Sequence, residues 1–314
     1  MTNTNTALNI VFMGTPDFAV PALEILNSSE HRIQLVVTVP DKEQGRGRRQ
    51  QASAIKQTAD RLGLPTSQPT SMKSPEFVNQ LLNLAPDLIV VVAFQILPEE
   101  IFTLPKYGSF NLHASLLPKY RGAAPIHWVL LNGDKESGVT TFFLRRKVDT
   151  GNIILQAKID IQPEDNLHSL YDKLCKLGAG VVLDTVNLIA SGPVEEGEQN
   201  NSLATPAPKV TSETRMLNFS ESAEQCHNRV RAFAPTPAAF TYRSGSLLKI
   251  LASSVGSEQG ESGCIIAISN DSFTIACSRG SLIVKSVQPE SKKGMDAASY
   301  LRGNPLSLGE RFGR

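Results

Sequence analysis

This chain of 314 residues contains little of what marks secreted, membrane or disulfide-rich proteins. It has 4 cysteines and 1 tryptophan, and aromatic residues make up only 6% of it. Its longest uninterrupted apolar run, Leu88 to Phe94, has seven residues, whereas about 20 are needed to cross a bilayer. The N-terminal sequence lacks the basic stretch and long apolar segment of a secretory signal. We therefore expect a cytoplasmic protein without a membrane span.

The few cysteines and histidines form no recognisable site. Cys175, Cys226, Cys264 and Cys277 are too far apart for a C-x-x-C pair and do not resemble the framework of a small secreted domain. We expect all four to be reduced thiols. The 5 histidines form no H-E-x-x-H or similar ligand set, so no metal is expected.

Net charge is also small, at +1, but it is unevenly distributed. Residues 1–208 carry 18 Lys and Arg against 21 Asp and Glu, whereas residues 209–314 carry 13 against 9. The C-terminal third is therefore the basic part. Alone this is weak evidence for a nucleic-acid partner, because a solvated surface would look the same.

Length and hydrophobic pattern predict two domains of different class. In the first 160 residues, apolar β-rich runs alternate with helical patterns, which is typical of an α/β domain with a mostly parallel sheet. The predicted strands are Leu8 to Met13, Gln34 to Val39, Leu88 to Phe94, Ser109 to His113, Val139 to Leu144 and Ile153 to Ile159. One predicted helix has an apolar face made of Phe18, Ala22, Leu23, Ile25 and Leu26. Others cover Ala54 to Leu62, Glu76 to Leu84 and Ala124 to Leu131.

A longer helix is predicted after Asn166, its N-cap, and before Gly192, which stops it. It closes a first domain over residues 1–191. Residues 192–208 are rich in Pro, Glu, Asn and Ser with little that could pack, which indicates a linker. Residues 209–314 contain short β-rich runs separated by turn residues, which favours a small antiparallel barrel.

The most informative stretch for chemistry is residues 109–125. Asn111 and His113 are two apart on a predicted strand, so their side chains share one face near the strand end, where open α/β sheets bind ligands. An amide and an imidazolium both donate hydrogen bonds, as the oxyanion formed by attack on a carbonyl requires. Without context, an Asn-x-His at a strand end is more often structural than functional.

Three further segments allow a functional or a plain reading. Asp149 follows a strand, where it could reach His113, orient the imidazole and relay protons through water, or simply form a turn. Gly14 ends the first strand where a helix start could bind an anion, but the G-x-G-x-x-G and P-loop patterns are missing. Arg46, Arg48 and Arg49 lie among glycines, in a loop suited to phosphates or to solvent. There is no G-x-S-x-G elbow for serine acyl chemistry.

Together these motifs resemble the methionyl-tRNA formyltransferase family over nearly the whole chain. The matching segments are Phe12 to Pro21, Pro40 to Asp41, Gly45 to Gly47, Phe110 to Ile126, Gly138 to Thr141, Asp149 to Gly151, Ala207 to Lys209 and Val230 to Phe233. Two segments depart from the family pattern: residues 93–98 are one residue shorter and lack a glycine, and residues 144–148 lack an acidic residue and a glycine.

The resemblance implies a Rossmann-like formyltransferase domain, a linker and an OB-like β-barrel. It implies transfer of a formyl group from 10-formyltetrahydrofolate to methionyl-initiator tRNA, with Asn111, His113 and Asp149 as catalytic residues and no metal. The expected folate contacts are Phe94, Ile96, Leu97, Ser115, Leu116, Leu117 and Pro118. The expected tRNA contacts are Arg46, Arg48, Arg49, Lys209, Lys292 and Lys293.

Other functions stay open at this point. Within the same class, the substrate could be a small amine, or the protein could hydrolyse formyl-folate; a barrel and an arginine loop argue against both, because a small substrate needs neither. Outside that class, the chain could be an inactive protein that binds the tRNA acceptor end. We expect a monomer.

Overall fold

The computed structural model describes residues 6–44 and 49–313, which fall into two compact units. The first contains the described residues through Gly122 together with Ser137–Ile159 and Tyr171–Pro206. The second contains Ala123–Glu136, Asp160–Leu170 and the described residues from Ala207 onward. The units thus alternate along the chain. The domain boundaries expected at residues 191 and 208 stay a prediction, since compactness alone does not define a folding domain.

The N-terminal part of the chain alternates strands and helices, as its hydrophobic pattern predicts. Its strands are β1 (Asn9–Gly14), β2 (Arg32–Val37), β3 (Lys42–Gln44), β4 (Arg49–Gln51), β5 (Thr66–Ser67), β6 (Leu88–Val92), β7 (Ser109–His113), β8 (Glu136–Phe143) and β9 (Ile153–Asp160). Its helices are α1 (Val20–Asn27), α2 (Ala54–Arg61), α3 (Pro75–Leu84), α4 (Glu99–Phe102), α5 (Pro125–Leu131) and α6 (Leu167–Ser191). Short 3-10 helices cover Asp17–Ala19 and Asn201–Leu203.

The first unit is built on a sheet with strand order β5-β2-β1-β6-β7-β8-β9. β1 pairs in parallel with β2 and β6, and β6 pairs in parallel with β7, whereas β8 runs antiparallel to β7. The mostly parallel sheet is thereby confirmed. The chain leaves β1 toward β2 on one side and later returns to β6 on the other, and such a reversal places a crevice at the carboxyl ends of the strands.

All six strands predicted from apolar runs occur in this sheet, with bounds shifted by a few residues. Every residue of β6 is buried, as its unbroken Leu and Val content requires in a sheet covered on both faces. Among the described residues of the N-terminal part, three further strands were not predicted: β3 and β4 pair as a hairpin of charged and amide residues, and β5 has two residues. None of the three carries an apolar pattern.

α6 begins and ends where the sequence predicts. The Asn166 Oδ1 atom accepts hydrogen bonds from the backbone N–H groups of His168 and Ser169, at 2.9 and 3.1 Å, and Gly192 after the helix has a φ of +141°. By length and composition alone α6 could cross a membrane, but buried core helices can be equally long and apolar. Half of its most apolar stretch is buried in the fold. Thr185 of α6 and Thr141 of β8 have their hydroxyl oxygens 2.8 Å apart.

The second unit contains an antiparallel sheet, which confirms the class predicted for the C-terminal part. Its strands are β10 (Ala239–Arg243), β11 (Ser246–Gly256), β12 (Ile265–Ile268), β13 (Phe273–Ala276), β14 (Ser281–Pro289) and β15 (Met295–Asp296), in the order β10-β11-β14-β13-β12 with β15 beside β14. Its remaining helices are α7 (Ser212–Arg215), α8 (Ala223–Phe233) and α9 (Ala297–Gly303).

The C-terminal segment joins the two edge strands of this sheet. The Phe312 N–H donates to the carbonyl of Gly263 at 2.8 Å, next to β12, and the Gly313 N–H donates to Tyr242 in β10 at 3.0 Å. Arg243 forms an ion pair with Glu310 at 2.6 Å. The segment thus continues the ring of strands between the two edges. All four cysteines are buried and free, and their reduced state stays a prediction.

Candidate functional site

β7 places Asn111 and His113 on one face of the sheet. Between them, Leu112 points to the opposite face, because a Cβ built on Gly178 of α6 would lie 2.7 Å from a Leu112 methyl group. Asn111 stands beside Val91 of β6 in the parallel register. The prediction that residues two apart share a face is therefore correct here. α6 covers the opposite face, to which Leu112 points.

The ring of His113 is held by a backbone carbonyl. Its Nε2 atom lies 2.8 Å from the carbonyl oxygen of Tyr120, and only 7% of the residue is exposed. Because a carbonyl oxygen only accepts, Nε2 carries the hydrogen. The other ring nitrogen, Nδ1, lies 3.9 Å from Asp149 Oδ2. The structure thus brings together the His and Asp that the sequence singles out, at ion-pair distance and too far apart for a direct hydrogen bond.

Asp149 occupies a tight turn next to the end of β8. Its φ is +54°, a left-handed conformation that Asp tolerates better than most residues, and its Oδ2 accepts a 2.8 Å hydrogen bond from the Gly122 N–H. Two residues later, a Cβ on Gly151 would lie 1.6 Å from the carbonyl oxygen of Phe143. Only glycine fits at position 151, and this close packing holds the turn that presents the Asp149 carboxylate.

A cavity of about 120 Å³ opens beside Asn111 and Asp149. It contains Phe94, Ile96 and Leu97, all three predicted as folate contacts, and Ile96 is 74% exposed. Among the described residues, no side chain or backbone group hydrogen-bonds the Asn111 amide, so the amide is available to a ligand. The other lining residues are Val91, Gln95, Phe102, Phe142, Leu144, Arg145, Arg146 and Val148.

Ser115, Leu116, Leu117 and Pro118 do not line this cavity. The Ser115 hydroxyl donates to the carbonyl of Lys119 at 2.7 Å, and the amide of Gln156 donates to the carbonyl of Leu117 at 2.8 Å. The Leu117–Pro118 peptide bond is cis. These contacts give the segment a structural role, and its predicted contact with folate stays a prediction.

The predicted tRNA contacts divide into two groups. Lys209, Lys292 and Lys293 are all exposed on the second unit, where their side chains can meet a phosphate. Arg46 and Arg48 lie outside the described residues, and of Arg49 only the backbone, in β4, is described. Beside the cavity, Arg145 and Arg146 form ion pairs with Glu196 and Glu99 at 3.7 and 2.6 Å.

The segment 192–208 contains the site residue that sequence reasoning missed. Gln199 is 9% exposed, and its Nε2 donates to the carbonyl oxygens of Asp149 and Gly151 at 3.1 and 2.7 Å. Gln199 is therefore an exception to the expectation that this segment contains little that packs, since most of its other residues are exposed, and the linker stays a prediction. A lone Gln among polar residues gives no local signal of burial, because its partners are backbone carbonyls far away in the sequence.

Among residues 6–44 and 49–313, no group of three or more His, Cys, Asp or Glu side chains is placed to hold a metal ion. The expectation of a site without metal stays a prediction.

Two family models match the chain. One, described as formyl transferase, matches residues 8–186, and the other, described as the formyl transferase C-terminal domain, matches residues 209–305. Curated relatives extend over almost the full length. A methionyl-tRNA formyltransferase from Moorella thermoacetica is 43% identical, covering 98% of this chain and 99% of its own. Another from Geobacter sulfurreducens is 39% identical, covering 98% and 97%.

Solved structures share the fold at lower identity. HypX from Aquifex aeolicus in complex with tetrahydrofolic acid matches with a TM-score of 0.64 and 16% identity over 94% of this chain, which spans 47% of that longer protein. An N-formyltransferase from Helicobacter canadensis, in complex with folinic acid and dTDP-3-aminofucose, matches with a TM-score of 0.66 and 22% identity, covering 90% of this chain and 99% of its own. At such identities the likeness shows the fold alone. The two family models and the full-length curated relatives go further, and by them this chain belongs to the methionyl-tRNA formyltransferase family.

Proposed function

We propose that this protein transfers the formyl group of 10-formyltetrahydrofolate to the α-amino group of methionyl-initiator tRNA, giving N-formylmethionyl-tRNA for translation initiation. The observation that carries the proposal is the joint placement of Asn111, His113 and Asp149 at one edge of the sheet. The full-length relatives of this chain are named methionyl-tRNA formyltransferase.

The reaction needs hydrogen-bond donors at the formyl oxygen and a route for one proton. The amine attacks the formyl carbon, a C–N bond forms, and the carbonyl electron pair moves to oxygen, where the Asn111 amide and protonated His113 donate to it. The tetrahedral intermediate then collapses, and the bond between the formyl carbon and N10 of folate breaks. The proton lost by the amine passes through Asp149 and water to that nitrogen. Alignment of the two reactants lowers the entropic part of the activation barrier.

The formyl donor fits the cavity in part. Pockets that enclose a drug-sized ligand measure about 300–1,000 Å³, so a cavity of about 120 Å³ holds only one ring system of the folate. Phe94 and Leu97 supply apolar contact to a flat ring, and the exposed Ile96 side chain lies where the rest of the molecule leaves the cavity. Ser115 to Pro118 complete the proposed folate contacts.

The tRNA is held mainly through its phosphates. Lys209, Lys292 and Lys293 are exposed cations on the basic C-terminal part, and Arg46, Arg48 and Arg49 belong to the arginine loop of the sequence. Phosphate contacts release counterions, so affinity for tRNA should fall steeply with salt. We further propose that the protein acts as a monomer in the cytoplasm, away from membranes and without a metal.

The first experiment follows labelled formyl from 10-formyltetrahydrofolate to initiator methionyl-tRNA, beside elongator methionyl-tRNA and a control without tRNA. Rapid labelling of the initiator species is the expected result. Release of formate without tRNA would identify a hydrolase of formyl-folate. With a small amine added to the control without tRNA, labelling of that amine would identify a different transferase. Bound tRNA without turnover would identify an inactive binding protein.

A pair of substitutions separates chemistry from binding. Asn111→Ala removes one donor to the oxyanion and should lower kcat on the order of 10² to 10³ with KM for tRNA nearly unchanged. Arg46→Ala should raise KM for tRNA and leave kcat nearly unchanged. Steady-state kinetics with both substrates measure the two effects. Full turnover by the Asn111→Ala and His113→Ala variants would contradict the proposed oxyanion site.

A further inference from the structure

A strap of chain, residues 199–205, is hydrogen-bonded to two turns beside His113 and Asp149. One turn, residues 149–151, holds Asp149. The other, residues 120–122, supplies the groups that bind His113 and Asp149. We propose that Gln199 and Thr205 are positioning residues, which set the geometry of His113 and Asp149 without touching the substrate. The inference rests on the proposed function for its kinetic test.

Gln199 links the two ends of the 149–151 turn through hydrogen bonds. Its Nε2 donates to the carbonyls on both sides of Thr150, those of Asp149 and Gly151. Its Oε1 accepts from Nε and Nη2 of Arg121, at 3.1 and 2.7 Å. One side-chain amide therefore satisfies four polar atoms on two separate turns. The left-handed backbone at Asp149 is a conformation that persists only where its surroundings fix it, and these bonds supply that fixation.

Thr205 holds the other turn. Its hydroxyl oxygen accepts from the N–H of Tyr120 at 2.9 Å, and its carbonyl accepts from the N–H of Arg121 at 2.9 Å. The carbonyl of Tyr120 in turn accepts from His113, and the N–H of Gly122 donates to Asp149. Tyr120 and Gly122 have φ values of +63° and +125°, so this turn also has an uncommon backbone conformation.

The two turns and the strap form one closed network. His113 Nε2 and Asp149 Oδ2 are both bound to the 120–122 turn, and that turn is bound to Gln199 and Thr205. Release of the strap would let the turns shift relative to each other, which would change the 3.9 Å separation of the imidazole and carboxylate. A displacement of about 1 Å can cost about 100-fold in rate, since catalysis depends on alignment.

Gln199→Glu tests the donor function without changing the size of the side chain. The new carboxylate can still accept from Arg121 but has no N–H for the carbonyls of Asp149 and Gly151. We expect kcat to fall about 10- to 100-fold, with KM for methionyl-tRNA within about twofold of wild type. Because the two side chains have the same shape, lost packing would not account for a fall in kcat. The exposed neighbour Glu198 provides the matched control, as Glu198→Gln should behave like wild type.

Thr205 gives an independent test with a conservative rescue. Thr205→Val removes the oxygen that accepts from Tyr120 and should lower kcat, whereas Thr205→Ser retains the oxygen and should restore it. The ¹⁵N chemical shift of the His113 ring, measured on the folded protein, should move in Gln199→Glu and Thr205→Val and not in Thr205→Ser.

The outcomes separate this inference from the proposed function. If wild type fails to formylate methionyl-tRNA, the proposed function is wrong, and the ring shifts alone then decide the inference. If wild type is active and both Gln199→Glu and Thr205→Val keep the kcat and the His113 shifts of wild type, the strap does not position the pair.

Discussion

Gly151 is the residue at which the 149–151 turn has the least room. A methyl group there would meet two backbone atoms of Phe143, the carbonyl oxygen at 1.6 Å and its carbon at 2.8 Å. Backbone cannot rotate away as a side chain can. We expect Gly151→Ala to lower the free energy of unfolding by at least about 1–3 kcal/mol, the usual effect of overpacking, and to abolish most turnover by displacing Asp149. Urea denaturation and the formyl-transfer assay measure both effects.

Gly180 provides the control for this prediction. It lies inside α6, and a Cβ there would have no neighbouring atom within 4 Å. Gly180→Ala should therefore raise stability by roughly 0.5–1 kcal/mol, because alanine loses less backbone freedom in a helix. Equal behaviour of the two variants would contradict the close packing described at Gly151.

Single residues differ in how well the sequence reveals them. Asn111 and His113 could be predicted because strand periodicity alone places them on one face. Asp149 could be placed near them because it follows a neighbouring strand. Gln199 could not, since its burial depends on carbonyl groups at Asp149 and Gly151, and a carbonyl leaves no trace in the side-chain sequence.

Among the elements, α6 depends on its N-cap. The Asn166 side chain accepts from His168 and Ser169, and the Ser169 hydroxyl accepts from the Asn166 N–H at 3.0 Å. Asn166→Ala leaves the helix N–H groups without these acceptors and should lower the free energy of unfolding by about 0.5–2 kcal/mol. Thermal and urea denaturation measure the loss. Asn166→Asp retains the acceptor and should stay close to wild type, so an equal loss in both variants would contradict the capping role.

Elements whose apolar residues follow one period were predicted, and polar elements were missed. β3 and β4 form a hairpin from charged and amide residues, and nothing in that composition indicates a strand. α8 was also missed, although Ser222 and Gln225 form a capping box at its start and that spacing is visible in the sequence. The short β-rich runs that follow favoured an all-β barrel, so no helix was predicted at α8, which packs against β11 and β14.

For the molecule as a whole, His227 links stability to pH. Burial, together with the smaller effect of the nearby Arg231 and Lys285 charges, lowers the pKa of its imidazole to about 4. The folded protein therefore keeps His227 neutral where the unfolded chain, with a pKa near 6.5, takes up a proton. Stability from this residue is complete above pH 6.5 and is lost as the pH falls toward 4.

The variant His227→Gln should remove this contribution. Urea denaturation between pH 7 and pH 5 should show a smaller loss of stability in the variant than in wild type. The exposed His168 is the matched control, and His168→Gln should retain the wild-type slope. Identical slopes for wild type and His227→Gln would show that the imidazole is not protonated on unfolding.

The alternation of the two units along the chain means that no single cleavage separates them. α5 belongs to the second unit, where Ile126, Val129 and Leu130 are buried and the helix packs against α8. A protease that cut once between residues 192 and 208 would leave α5 on one fragment and α8 on the other. Each fragment would carry part of both units, and the exposed apolar face of α5 would then favour aggregation of the N-terminal piece. This protein is therefore modular in its architecture but not in its covalent chain.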